Sequence, residues 1–343
     1  MWSFRGVSVA MGQQKYEVEI HQAIRRVADE SWSFVACPLR PVRARATSGR
    51  RFSARIALRG SWTASRTMGA CVYRTSQLVH RFDLRLPPAL HEVLTIHDLP
   101  PARFGDEGVV PRSAVESVKR ARALICPSLF AAQEIGELLG GDAPTVIPYG
   151  VSRAFQSPTP ATAAELAALG ISGPFVIHAA GAAERKNLPA LAAAWREVAR
   201  LLPDVQLVLC GPPDPRRTAA FEGVPHVRLI GYTPADAVAR LTAASSAVVV
   251  PSTYEGFGLP ALEGMACGVV VVAARRGALP EVCGDAAVLV EPDPSGLAEG
   301  IARALTDDKL AARLRDDGPR RAALYSWDDA ARAHLDVYSR ALS

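Results

Sequence analysis

The sequence predicts an α/β protein made of doubly wound parallel sheets in two domains. Three observations predict it. The second half alternates short apolar runs with helical patterns, which is the signature of βα units. Its apolar runs (PFVIHAAG, VQLVLCG, AVVVP, VVVVAA) lack polar alternation, as strands buried on both faces require. Its 343 residues exceed one ordinary domain and accommodate two.

In the first half, Val7 to Met11 (VSVAM) reads as a short strand before Gly12, and Glu17 to Ala28 as a helix. FVACPL, QLVHRF, EVLTIH, ALICPS and TVIPYG follow as strands at intervals. Residues 156–173, rich in Ala, Pro, Thr and Ser, read as a hinge between a domain over 1–155 and another over 174–325. The second domain opens with a strand, Pro174 to Gly181. Asn187 to Leu202 is a helix with Leu188, Leu191, Trp195, Val198 and Leu202 near one face. Strands follow at Val205 to Gly211 and His226 to Tyr232, and then a helix at Pro234 to Ala244. A strand ends at Pro251, a helix starts at Pro260, and strands follow at Val269 to Ala274 and Ala286 to Pro292.

Composition excludes several classes. Hydrophobic residues make up 49% and charged residues 21%, as in ordinary soluble proteins, and no apolar run reaches the roughly 18 residues of a membrane span. The start, MWSFRGVSVAMGQQ, lacks the apolar core of a signal peptide. The six cysteines are scattered without a CxxC pair. This argues against a zinc site or a disulfide framework and for a reducing cytoplasm. Charge is uneven: residues 1–150 hold 20 Lys and Arg against 13 Asp and Glu, whereas the remainder holds 19 against 21. Ser31 to Phe82 has ten arginines and no acid, which points to an anionic partner for the first half. Arg51, Arg55 and Arg59 recur at helical spacing, with Phe52, Ile56 and Trp62 for an apolar side. They read either as a solvated helix face or as a surface for an anionic membrane or a lipid-phosphate acceptor. No aromatic-interleaved basic motif accompanies them, so nucleic acid is not expected.

The chemistry-bearing residues sit at strand ends. In STYEGFGLPALEGMACG (Ser252 to Gly268), Gly256 and Gly258 let the backbone approach a ligand, and Pro260 suits a first helical turn. Glu263 then falls in the first turn of that helix, where a carboxylate complements the dipole whatever else it does. Glu255 lies in the loop, placed to hydrogen-bond something in the crevice. GAAERKNLPAL (Gly181 to Leu191) sets Arg185 and Lys186 just before a helix, where paired cations suit a diphosphate. VLTIHDL sets His97 and Asp98 at the end of another strand. Taken singly, the cations read as solvated surface, His97 as a packed histidine and Asp98 as a cap.

In this order the motifs resemble the retaining glycosyltransferases of family 4. Those enzymes have the GT-B architecture: two facing Rossmann-like, doubly wound parallel-sheet domains with a cleft between them. The resemblance rests on EGFGLPALE (Glu255 to Glu263), RKN (Arg185 to Asn187), TIHDL, GALPEVCGDAAVLVEP and SWDDAARAHLDVYSRAL. It implies that Arg185 and Lys186, beside Gly181, hold the donor diphosphate. It also implies that Glu263 holds the ribose, that Glu255 contacts the transferred sugar, and that Phe257, Gly258 and Leu259 line the donor site. His97 is carried over as an active-site residue near that sugar, and residues 326–343 as a helix crossing back onto the first domain. Gly12, Gln13 and Gln14 fall in the acceptor-side loop, with one glycine where the family usually has two. Tyr149 stands where Asn is common.

The implied reaction moves a mannose- or glucose-type hexose from a nucleotide-diphosphate sugar to a hydroxyl of a saccharide or lipid-linked acceptor. Its site is cytoplasmic, with peripheral contact at an anionic inner membrane face left open by the arginines. No cofactor is implied, and the absence of a D-x-D triplet leaves a bridging metal unimplied as well. Two alternatives stay open: another GT-B activity (epimerase or phosphorylase-like), or a non-catalytic sugar-nucleotide-binding protein.

Overall fold

The computed structural model describes residues 1–5, 12–42, 49–74 and 76–343. It divides into two compact units, Met1–Gly150 with Ser326–Ser343, and Val151–Tyr325. The segment expected as a hinge, 156–173, lies in the second unit.

The first unit is a seven-stranded sheet in the order β3-β2-β1-β4-β5-β6-β7, and every recorded pairing is parallel. Its strands are β1 (Trp2–Arg5), β2 (Ala36–Pro41), β3 (Arg50–Phe52), β4 (Val79–Arg81), β5 (Glu92–Thr95), β6 (Ala123–Cys126) and β7 (Thr145–Val146). Its helices are α1 (Gln13–Val27), α2 (Ala54–Arg59), α3 (Trp62–Tyr73), α4 (Ala114–Arg120) and α5 (Leu129–Leu139). The strand read at Val7 to Met11 lies outside the described residues, and the first described strand is β1. Between β4 and β5 a buried ion pair replaces apolar packing. Arg81 donates to both carboxylate oxygens of Glu92 (2.8 and 3.0 Å) and to the Leu86 carbonyl (2.9 Å), so neither charge is left bare.

One expectation is corrected here. Arg51, Arg55 and Arg59 do not share a helix, because Arg51 lies in β3, an edge strand, and only Arg55 and Arg59 lie in α2. Two serines cause the break. Ser53 caps α2 and Ser61 caps α3, each accepting a backbone N–H three residues on, so the chain restarts a helix twice. Exposed Arg50 and Arg51 on β3 also discourage pairing at that sheet edge.

The second unit is a six-stranded sheet in the order β10-β9-β8-β11-β12-β13, again parallel in every recorded pairing. The strands are β8 (Phe175–Ala179), β9 (Gln206–Cys210), β10 (Val227–Gly231), β11 (Ala247–Val250), β12 (Val270–Ala274) and β13 (Val288–Val290). The helices are α6 (Ala163–Ala168), α7 (Leu188–Leu201), α8 (Pro215–Ala220), α9 (Ala235–Ala244), α10 (Leu259–Ala266), α11 (Leu279–Cys283), α12 (Pro294–Thr306) and α13 (Asp308–Ala322). Leu191, Trp195 and Val198 of α7 are fully buried against Leu207, Val249 and Leu297, as their spacing requires.

The last helix, α14 (Trp327–Leu342), returns to the first unit and packs along α1. Among the described residues no helix is long and apolar enough to cross a membrane.

Candidate functional site

In an open parallel sheet, ligands gather at the carboxyl ends of the two strands where the winding reverses. In the second unit those strands are β8 and β11, which are hydrogen-bonded neighbours although about 70 residues apart in sequence. The loops that follow them carry the residues singled out above. Asn187, in the left-handed region at φ 55°, donates its amide to the Pro251 carbonyl (3.1 Å) and to the Pro292 carbonyl (2.7 Å). One side chain thus ties the loops after β8, β11 and β13. Thr253 N–H donates to the Arg185 carbonyl at 2.9 Å, closing the same loops from the other side.

Glu255 is the centre of this arrangement. It is buried, and its Oε1 accepts from Lys186 Nζ at 2.6 Å and from Ser252 Oγ at 2.7 Å, while its Oε2 accepts from Arg185 at 3.2 Å. Burial alone would raise the carboxyl. The Lys186 ammonium and then the Arg185 guanidinium overcome it and hold the group at about 2. Glu255 therefore clamps the two cations side by side. Its backbone is held as well: Ala278 N–H donates to the Glu255 carbonyl at 2.9 Å. Gly277 makes this approach possible, since a Cβ there would stand 2.6 Å from that carbonyl oxygen and φ is +59°.

Gly258 begins α10 at φ 105°, and a Cβ there would meet Leu279 at 2.6 Å. Phe257 is buried edge-on to Tyr325 (5.6 Å), Leu259 starts the helix, and Pro260 follows. Glu263 departs from the expectation. It sits in the second turn of α10, and the first turn holds no acid. Because α10 starts at Leu259, one residue before Pro260, dipole complementation is weaker than the first-turn reading assumed. Gly181 lies just past β8, at the mouth of the loop carrying Arg185 and Lys186.

Sequence reasoning missed two supports beneath this loop. His178 of β8 donates Nδ1–H to the Val249 carbonyl of β11 at 2.9 Å, fastening the strands at the reversal. Burial lowers its ring to about 4, so the ring is neutral beside Lys186. Arg217 of α8 is buried, donating to the Pro212 carbonyl at 2.6 Å and to the Ala180 carbonyl at 2.5 Å, and so joins the ends of β8 and β9. Gly211 leaves the room, since a Cβ there would lie 2.5 Å from the guanidinium. The glycine was the only sequence signal for either support.

The first unit reverses its winding between β1 and β4. Gly12 ends the segment before α1. Gln13 and Gln14 open that helix rather than extending the loop. Gln13 donates its amide to Glu17 (3.1 Å) and to the Phe82 carbonyl just past β4 (2.8 Å). His97, past the end of β5, hydrogen-bonds through Nδ1 to Tyr149 Oη at 2.5 Å and packs edge-on to Tyr16 at 4.7 Å. Burial lowers its ring to about 4, only partly opposed by the Asp83 carboxylate and the Phe82 carbonyl, so His97 is neutral at neutral pH. Around it lies a buried network. His80 bonds Tyr338 (2.5 Å) and Thr95 (2.7 Å), and His334 bonds Tyr16 (2.8 Å), fixing α14 to α1 and β4. The structure thus brings Gly181, Arg185, Lys186, Glu255, Phe257, Gly258, Leu259 and Glu263 into one unit, and Gly12, Gln13, Gln14 and His97 into the other.

Residues 167–321 match the family model for glycosyl transferases group 1. The O-antigen chain mannosyltransferase B of Escherichia coli is 38% identical over 113 residues, covering 33% of this chain and 30% of the relative. A D-inositol 3-phosphate glycosyltransferase of Xylanimonas cellulosilytica is 32% identical over 259 residues, covering 69% of this chain and 60% of the relative. The chain thus spans less than two thirds of the length of either. Among solved structures, Anabaena Alr3699/HepE in complex with UDP-glucose superposes with a TM-score of 0.75 at 19% identity, covering 98% of this chain and 99% of that one. Two parallel-sheet units of the GT-B architecture therefore make up this chain, and its residues 167–321 are a domain of the glycosyl transferases group 1 family.

Proposed function

We propose that the chain transfers a hexose from a nucleoside-diphosphate sugar to a hydroxyl of a saccharide or lipid-linked acceptor, with retention at the anomeric carbon. The observation that carries this reading is the pair Arg185 and Lys186, presented where the sheet reverses and clamped by one buried carboxylate. In the reaction the bond from the sugar's C1 to the diphosphate oxygen breaks, and the nucleoside diphosphate leaves with the electron pair. The two cations stabilise the charge that develops there, worth several kcal/mol in a preorganised site. The acceptor oxygen bonds C1 on the face the diphosphate departs from, and its proton passes to a diphosphate oxygen. Glu263 holds the ribose, His97 meets the transferred sugar, and the cations supply the charge without a metal or cofactor. Relatives named for mannosyl transfer and a similar fold holding UDP-glucose support GDP-mannose and UDP-glucose as donors to try first.

Thermal shift with UDP-glucose, UDP-N-acetylglucosamine and GDP-mannose tests the donor. A ligand at a hundredfold its Kd stabilises the folded state by about 2.7 kcal/mol. The shift should appear with at least one of them and vanish in Arg185→Ala and Lys186→Ala. No shift with any, or an equal shift in the variants, would sink the reading. For the acceptor, the exposed Arg51, Arg55 and Arg59 support peripheral contact with an anionic membrane in the cytoplasm, at roughly 1 kcal/mol per Arg. Sedimentation with anionic vesicles should be lost on raising salt and on replacing the three by Gln. Equal sedimentation with neutral vesicles would favour a soluble acceptor.

A further inference from the structure

We propose that a recess at the amino edge of the first unit's sheet binds a phosphate group. It encloses about 240 Å³ and is lined by Trp62 and Arg66 of α3, by Ala89, Leu90 and Glu92, and by Arg120 at the end of α4. Ala89 and Leu90 lead into β5 and Glu92 begins it, whereas His97 stands past the other end of that strand. The proposed transfer uses none of the lining residues.

The charges around the recess leave one cation over. Glu92 lines it, but its carboxylate is already filled: Arg81 donates to both oxygens (2.8 and 3.0 Å) and the Ala89 N–H to one of them (2.9 Å). Arg120 gives its Nε–H to Glu116 at 2.8 Å and sets its guanidinium 5.9 Å from the centre of the Trp62 ring. Its two terminal nitrogens bond nothing among the described residues. Arg66 has neither a hydrogen bond nor an ion pair among the described residues, although it is half-buried. Two ion pairs cancel and Arg66 remains. A partly desolvated guanidinium without an acceptor is costly, and an anion in the recess removes that cost. The donors come from two elements, α3 and α4. The diverging oxygens of a phosphate can meet both forks at once, whereas the two coplanar oxygens of a carboxylate fill one. The volume is below the roughly 300–1,000 Å³ of drug-sized sites, so the occupant is a phosphate with a small substituent and not a nucleotide sugar. Trp62 and the exposed Leu90 offer apolar surface to that substituent. A soluble sugar phosphate and a lipid headgroup present the same group.

The test uses the full chain labelled with 5-fluorotryptophan, which gives five 19F lines, one per tryptophan. The line missing from Trp62→Phe assigns Trp62. Glucose 6-phosphate should move that line saturably, and glucose or acetate at equal ionic strength should not. If vesicles containing phosphatidic acid perturb it while glucose 6-phosphate and phosphatidylcholine vesicles do not, the source is a headgroup and the phosphate site stands. Arg66→Gln and Arg120→Gln should each weaken binding about tenfold or more, as loss of a charge-assisted hydrogen bond does. Both should keep the wild-type melting midpoint, since Arg66 bonds no described residue and Arg120 is exposed. Lys186→Ala should leave the Trp62 response unchanged, which separates this site from the donor cations. A Trp62 line that no phosphate moves overturns the proposal. So does one that moves equally with acetate or in the chain lacking both arginines, or a response lost in Lys186→Ala.

Discussion

Glu255→Gln keeps the shape of the side chain and removes the charge that Lys186 and Arg185 share. The carboxyl is drawn from its usual 4.5 to about 2. That difference corresponds to roughly 3 kcal/mol favouring the native state at neutral pH. Removing it leaves two cations, one of them buried, without their anion, which is the costly way to break such a pair. For a unit of this size each kcal/mol moves the midpoint by roughly 2–4 °C, so the second unit should melt about 6–12 °C lower. The pH dependence has a definite sign. A carboxyl whose folded value is depressed contributes stability above its unfolded value and loses it as pH falls through the folded one. The gap between wild type and variant should therefore close from about 4.5 down to about 2. A diphosphate supplies the missing charge, so UDP should raise the variant's midpoint more than the wild type's. Calorimetry at pH 7 checks this, and a variant melting within about 2 °C of wild type would refute the clamp.

Glu263→Gln should weaken nucleotide affinity in titration calorimetry, and an unchanged affinity would reject the ribose reading of this buried carboxylate. His80, His97 and His334 are buried and neutral in the first unit, with their rings drawn below the ordinary value by burial. The unfolded chain takes up protons near pH 6.5 that the folded rings refuse, His97 and His334 down to about 4. Stability should fall across that window by up to about 1.4 kcal/mol per pH unit for each ring, and urea midpoints at pH 7 and 5 read it directly. Gly277→Ala forces a Cβ to 2.6 Å from the Glu255 carbonyl at a positive φ. It should cost about 1–3 kcal/mol and weaken donor binding together, because the clamp's backbone must shift.

Much of the fold was legible because parallel strands covered on both faces leave plain apolar runs. Each strand named in the second half ends within a residue or two of its expected bound. The first half was harder. β3 is three residues long and carries two arginines, so it has no apolar signature, and Ser53 and Ser61 are caps only once the backbone around them is placed. Of the candidate site, Arg185, Lys186, Glu255 and Glu263 could be picked out by type and spacing. His178 and Arg217 could not, because a histidine inside an apolar strand and an arginine on a short helix carry no pattern that says they are buried.

The sequence by itself determined that strands and helices alternate, that glycine loops follow the strands, and that two cations and one carboxylate lie in loops past strand ends, with a second carboxylate in a following helix. All of these follow from local periodicity and backbone preference. Only the tertiary structure decided that β8 lies beside β11, because strand order is set by how the helices cover the sheet and not by any neighbouring residue. That adjacency joins Glu255 to Lys186 across 69 positions and turns an apparently free carboxylate into a clamp. It likewise took the return of α14 to stack Trp327 on Tyr149 and fix the partner of His97, since contacts between residues so distant in sequence exist only once the chain has closed on itself.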